Sequence, residues 1–240
     1  DRDDVEYLLV ESRRILPGLI ITRESILYTY AGIRPLAFSG SSESKISRKH
    51  RVIREGKAGR IITIAGGKLT TYRNMAKDAV DAACRVLGVK AQCQTDKKPL
   101  AGGLPMGYEQ YLNEVVPDIA VRFKTKPATV RHLIAIYGSR AERVLELAKM
   151  EPLLGQAISP ESKDMYAQIL YAAMEEGTRT LSDIVLRRMH IGMTAGRGLK
   201  FAEKMATIAG KELNWGDDEK RHHIDEFKRV LNKETSCLKT

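Results

Sequence analysis

Residues 61–73 read IITIAGGKLTTYR: a five-residue apolar run, two glycines, a lysine and two threonines. Glycines between a strand and a helix let backbone come within contact distance of a ligand, because no Cβ intervenes. The free N–H groups at the start of the helix, at the positive end of its dipole, then favour negative charge. Gly66 and Gly67 would make that corner, Lys68 adds a full positive charge, and Thr70 and Thr71 can cap the helix or bond a ligand. The same residues also suit a plain tight turn with a Thr cap and a surface lysine, and the pattern leaves both readings open. A phosphate loop of the G-x-x-x-x-G-K type is excluded, since position 62 is Ile62.

Arg34 stands in YAGIRPL, at the end of an apolar segment beside a glycine. An arginine there needs a carboxylate or a phosphate partner, because leaving it unpaired is expensive. A structural salt bridge meets that need as well as a bound anion does. Arg48 and His50 belong to a basic run in which seven Lys or Arg between Lys45 and Arg60 face one acid, Glu55. His50 suits a general base or an exposed loop histidine. His132, His190, His222 and His223 are scattered through the second half without partners at metal-ligand spacing. Cys84, Cys93 and Cys237 show no zinc-ligand spacing either, so no metal is expected. Residues 127–148 hold a helix, a glycine turn and a helix, a pairing too common in helical domains to mark DNA binding.

The elements that must position these residues divide at a linker. The apolar spacing of Val5, Leu8, Leu9 and Ile15 predicts a helix over 4–15, ended by the Pro-Gly at 17–18. SILYTYAGIRPL (25–36) predicts a strand, IITIA (61–65) a second, and the weak alternation of RKHRVIRE accompanies them. From Thr71 the period becomes helical, with Met75, Ala76, Ala79, Val80, Ala83, Val86 and Leu87 on one stripe and Gly88 as the stop. Residues 89–105 are polar and rich in Gly and Pro. The expected domains are therefore 1–90, a linker at 91–105, and an all-helical domain at 106–235 of six or seven helices. Its signals include Ser159-Pro160 as a helix start and an approximate capping box at Thr180–Asp183. The fold class is α+β, a few strands plus helices followed by an all-α domain.

Composition narrows the partners. Forty Lys and Arg against 30 Asp and Glu give a formal net charge of +10, which favours phosphates or another anionic surface. Aromatics are 6% of residues, too few for a stacking platform, so no nucleic-acid partner is expected. An odd cysteine count fits a reducing, cytoplasmic setting, and no apolar run approaches the ~18 residues of a membrane span. The chain opens DRDDVEYLLVE, acidic and without Met, so residue 1 is expected to lie inside a longer protein.

YTYAGIRPL, ISRKHRVI and ITIAGGKLTTYRNMAKDAVDAA resemble, in order and spacing, consecutive motifs of the FAD-dependent glycerol-3-phosphate dehydrogenases. TRTLSDIVLRRMHIGM resembles the signature of that family's C-terminal helical domain. The resemblance runs from about residue 3 to about 230, with the strong motifs in the first 90 residues. It implies the C-terminal part of a flavoprotein catalytic domain followed by the helical domain, with the N-terminal dinucleotide fingerprint absent from these 240 residues. It further implies FAD as cofactor and glycerol 3-phosphate as substrate, with Arg34 and Arg48 holding the substrate's phosphate. Lys68 would sit at the reactive centre and His50 would aid proton removal. Gly66, Gly67, Lys68, Leu69 and Thr70 would line the flavin.

The expected reaction is oxidation of sn-glycerol 3-phosphate to dihydroxyacetone phosphate, with electrons passed to a quinone or to electron-transfer subunits. Peripheral contact at the inner face of a membrane and an oligomer are compatible with it. The 240 residues alone are expected to be inactive, because nothing in them holds the ADP half of FAD. The alternatives are a glycerol-3-phosphate oxidase that uses oxygen, and a non-enzymatic helical binding module.

Overall fold

The computed structural model describes residues 1–33 and 49–238, which form two compact units: Asp1–Tyr30 with Ala101–Thr240, and Ala31–Leu100. Arg34 and Arg48, the two expected phosphate-holding cations, lie outside the described residues.

The smaller unit is a hairpin and a helix. Strand β1 (Arg51–Glu55) pairs antiparallel with β2 (Ile61–Ala65), in a register that sets Arg51 opposite Ala65 and Glu55 opposite Ile61. After Gly66 and Gly67 a 3-10 turn over Leu69–Thr71 leads into the helix Tyr72–Leu87, which Gly88 ends in the left-handed conformation. Both the strand at 61–65 and the Gly88 stop agree with the sequence reading, as a backbone that needs positive φ selects glycine. The apolar stripe of this helix is only partly covered. Ala82 is its one buried residue and Leu87 is exposed, while the exposed Tyr72 and Val80 border a groove of about 460 Å³ that Cys84, Cys93 and Leu100 also line.

The larger unit begins with α1 (Arg2–Ile15); counting the helix of the smaller unit as α2 (Tyr72–Leu87), seven α-helices follow among the described residues. They are α3 (Tyr108–Arg122), α4 (Pro127–Tyr137), α5 (Ala141–Ala148), α6 (Ala167–Glu175), α7 (Leu181–Arg187), α8 (Ala202–Leu213) and α9 (Asp217–Glu234). Helix α6 packs between α5 and α8, α3 lies on α4, and α9 covers α7 and α8. Their facing sides bury one contiguous cluster that includes Ile119, Leu133, Ile169, Leu181, Ile184, Met205 and Phe227. Burial of that cluster is the main stabilising term of the unit. Thr180 caps α7 in a reciprocal box with Asp183, as its sequence signals. Among the described residues no helix is long and apolar enough to cross a membrane.

Two local expectations are corrected. No strand forms over residues 26–33; only a 3-10 turn, Arg23–Ser25, precedes them. The Thr29 amide and hydroxyl both donate to the carbonyl of Glu234 at the end of α9, so the segment is held by a helix terminus in place of a strand partner. Ser159-Pro160 does not open a helix. The Ser159 hydroxyl accepts from the Ser162 amide at 3.1 Å and the Ser162 hydroxyl from the Asp164 amide at 3.0 Å. Those local bonds compete with helical ones, and α6 starts only at Ala167. Helix α3 runs through Pro117 without ending there. The linker expected at 91–105 straddles the boundary between Leu100 and Ala101, whereas residues 1–30 make their contacts with the helical unit.

Candidate active site

The β1–β2 hairpin delivers the Gly-Gly corner. Gly66 is buried with φ +75°, and Gly67 has φ +97°, both in the region that side chains rarely adopt. A Cβ on Gly67 would fall 2.6 Å from the Met75 sulfur and 3.1 Å from Cβ of His50. Glycine at this point is therefore favoured by φ, and any side chain would also have to displace the Met75 thioether and press on His50. The same distances show that His50, one residue before β1, lies against the corner that ends β2.

His50 is fixed by a partner that the sequence reading did not single out. Its Nε2 lies 2.8 Å from Oδ2 of Asp78, on α2. The His50 side chain is 11% exposed and that of Asp78 48%. The hydrogen bond from His50 is the main reason the Asp78 carboxyl sits below the usual carboxylate range. An imidazole held by a carboxylate on one nitrogen has a defined tautomer, and its other nitrogen faces elsewhere to accept or donate a proton.

Lys68, Leu69 and Thr70 follow the corner and are exposed. The Thr71 hydroxyl and amide each donate to the Lys68 carbonyl at 2.9 Å, which winds the 3-10 turn. The Thr71 side chain is thereby used and does not cap α2; the Tyr72 amide donates to the Leu69 carbonyl, and the N–H groups that follow it receive no cap from Thr71. Those donors and the Lys68 ammonium are the features that suit an anionic group at this corner. The structure thus brings His50, Gly66, Gly67 and Lys68 to one turn, with Leu69 presenting an exposed apolar side chain beside it.

Two sets of residues were missed by sequence reasoning. Asp78 lies within the string ITIAGGKLTTYRNMAKDAVDAA but has no role assigned there, and only the demand of a mostly buried histidine for an acceptor could have pointed to it. In the helical unit, His132, Asp164 and His190 converge, with ligand atoms all within 4.8 Å of one another. They are separated by tens of residues in sequence, so no spacing rule connects them.

Residues 93–220, more than half of the chain, match the family described as the C-terminal domain of alpha-glycerophosphate oxidase. The chain belongs to that family. It is 33% identical to the glycerol-3-phosphate dehydrogenase of Synechocystis sp., over 98% of this chain and 42% of that protein. It is 35% identical to glycerol-3-phosphate dehydrogenase 2 of Mycobacterium tuberculosis, over 88% of this chain and 36% of that one. The crystal structure of the Bacillus halodurans glycerol-3-phosphate dehydrogenase complexed with FAD superimposes with a TM-score of 0.80 at 25% identity, over 99% of this chain and 46% of that one. The chain thus spans less than half the length of these relatives. Family membership agrees with the resemblance read from the GIRPL, SRKH and GGKLTTYR strings, and the fold agrees with a small sheet followed by a helical domain.

Proposed function

We propose that this chain forms the part of a flavin-dependent enzyme that holds the phosphate of sn-glycerol 3-phosphate and takes the proton from its C2 hydroxyl. The supporting observation is the pairing of His50 with Asp78 against the Gly66–Gly67 corner, in a chain whose relatives are named glycerol-3-phosphate dehydrogenases and include an FAD complex. The residues at the corner fit FAD. Two glycines without Cβ, an exposed Leu69, a lysine and an uncapped helix start offer close backbone approach, an apolar contact and positive potential. Bound FAD would accept the hydride from C2.

His50 accepts the C2 hydroxyl proton as general base, and Asp78 keeps its ring in the orientation for that step. Lys68 and the N-terminus of α2 stabilise negative charge that develops at the reacting centre. Arg34 and Arg48 hold the dianionic phosphate, which positions C2. Dihydroxyacetone phosphate leaves, and the two electrons pass on to a quinone or an electron-transfer subunit, with peripheral contact at a membrane as the setting.

The enzyme that contains this chain should purify with an oxidised flavin spectrum that sn-glycerol 3-phosphate bleaches in the absence of air. A flavin that the substrate leaves oxidised would overturn the assignment. The family description names an oxidase, which favours a second reading with oxygen as acceptor. Hydrogen peroxide formed in step with product under air would establish the oxidase; dye or quinone reduction without peroxide establishes the dehydrogenase. The 240 residues contain no G-x-G-x-x-G string, so this polypeptide alone should neither retain FAD through gel filtration nor reduce dye.

A further inference from the structure

We propose that His132, Asp164 and His190 form a binding site for a divalent transition-metal ion of the zinc type, separate from the proposed flavin corner. His132 projects from α4, Asp164 from the irregular segment ahead of α6, and His190 opens the 3-10 turn His190–Met193 after α7. Each contributes one ligand atom, and the three atoms lie within 4.8 Å of one another. In a tetrahedral site with metal–ligand bonds of about 2.0–2.2 Å, ligand atoms stand roughly 3.3–3.5 Å apart. His132 Nε2 and Asp164 Oδ1 are now 2.9 Å apart. They need open only slightly, and His190, exposed at the mouth, closes the remainder by side-chain rotation.

Three observations favour an ion over a plain histidine–aspartate bond. First, Asp164 is fully buried and its carboxyl is already organised as a ligand. Oδ2 accepts from the Ile191 amide at 2.6 Å, and Gln168 Nε2 approaches Oδ1 at 3.4 Å. Gln168 is itself buried, with its oxygen on the Met165 amide at 2.8 Å and its nitrogen 3.2 Å from the Tyr137 hydroxyl. That outer ring of hydrogen bonds orients a carboxylate as the supporting partners of metal ligands do. Second, a single imidazole would satisfy the carboxylate, yet a second one is brought alongside. The His132 and His190 rings are 5.3 Å apart and tilted by 57°. Among the described residues the His190 ring has no hydrogen bond, so its position beside the His132–Asp164 pair leaves a ring nitrogen free to serve as a third ligand. Third, the exposure of His190 supplies an entry path and leaves a fourth position open to water.

Two imidazole nitrogens and one carboxylate select zinc and its first-row neighbours over magnesium and calcium, which take oxygen ligands. The ion would clip three segments that share no regular secondary structure with one another: α4, residues 158–166 and the turn after α7.

The test uses the untagged 240-residue chain, stripped with chelator and titrated with Co²⁺ and Zn²⁺. Cobalt should produce the visible absorption of a four- or five-coordinate ion at one equivalent, zinc should displace it, and zinc should raise the thermal midpoint. His190→Ala, an exposed substitution that leaves the core intact, should weaken cobalt binding by about 100-fold or more, since loss of a ligand should exceed the 10–100-fold cost of losing an outer partner. His222→Ala, an exposed histidine on α9, should leave the titration unchanged. Absence of the cobalt spectrum, or a spectrum that survives His190→Ala, would overturn the proposal.

Discussion

At the scale of single residues, the decisive feature is that, among the described residues, the His50 side chain has a partner and the Lys68 ammonium has none. The imidazole is hydrogen-bonded to Asp78 at 2.8 Å and mostly buried, so its direction is set before any ligand arrives. Lys68 has an exposed side chain whose flexible stem can follow a charge that moves. A preset base and an adaptable cation are different kinds of catalytic group, and substitution should separate them. In the enzyme containing this chain, His50→Gln should lower kcat by about 100-fold or more, the usual scale for a positioned base. Asp78→Asn keeps the shape of the partner but allows the wrong tautomer of His50. It should lower kcat by roughly tenfold or more with little change in KM, because it acts on the proton-transfer step alone. Steady-state dye reduction at a series of substrate concentrations measures both. A loss confined to KM in Asp78→Asn would mean that His50 binds substrate without serving as base.

At the scale of elements, the strand–corner–helix unit is specified by steric fit. A methyl group on Gly67 would have to displace the thioether of Met75, and the φ of +97° disfavours one independently. Gly67→Ala should destabilise the corner by the ~1–2 kcal/mol of a left-handed side chain plus the clash. Activity should fall with it, because His50 rests on the same turn. Adding Met75→Ala removes the clash but not the φ cost, so the double variant should recover part of the stability by urea denaturation. If the double variant is no better than Gly67→Ala, the corner is limited by backbone alone. This corner was legible in the sequence because glycine pairs and a change of hydrophobic period are local signals. The capping of α7 by Thr180 and Asp183 and the stop at Gly88 were legible for the same reason. Ser159-Pro160 misled because its serine bonds the amide of Ser162, a choice made by the buried position of Asp164 and so by tertiary structure. Residues 26–33 misled because β-branched and aromatic composition describes a half-buried surface, and here Thr29 bonds a helix end in place of a strand partner. The convergence of His132, Asp164 and His190, and the pairing of His50 with Asp78, depend on packing between distant elements and have no local trace.

At the scale of the whole molecule, the helical unit is closed by bonds between its sequence-distant ends. Residues 23–30 return to the end of α9 through Thr29, whose amide and hydroxyl meet the Glu234 carbonyl, and through Arg23, which reaches the Cys237 carbonyl at 3.2 Å. Arg197 joins these strands of contact. Its Nε donates to the Gly192 carbonyl at 2.9 Å, its Nη1 pairs with the Glu234 carboxylate, and its guanidinium lies 4.2 Å from the centre of the Tyr28 ring. It is 6% exposed and has a φ of +46°, a backbone state unusual for arginine. Such a state persists only where surrounding contacts outweigh it, which makes Arg197 a clasp between the first 30 residues and the last helix. Arg197→Met should cost about 2–3 kcal/mol, less than the 3–5 kcal/mol of a fully buried broken pair because Glu234 retains some water. Arg197→Lys should fall between, since an ammonium keeps the charge but cannot stack on Tyr28 and bridge two acceptors at once. Hydrogen exchange should then rise first in residues 23–30 and in the last turn of α9, before the core around Ile169 and Phe227. Uniform loosening of the whole unit would show that Arg197 supports the core generally and that the ends are held by Thr29 and Arg23 without it.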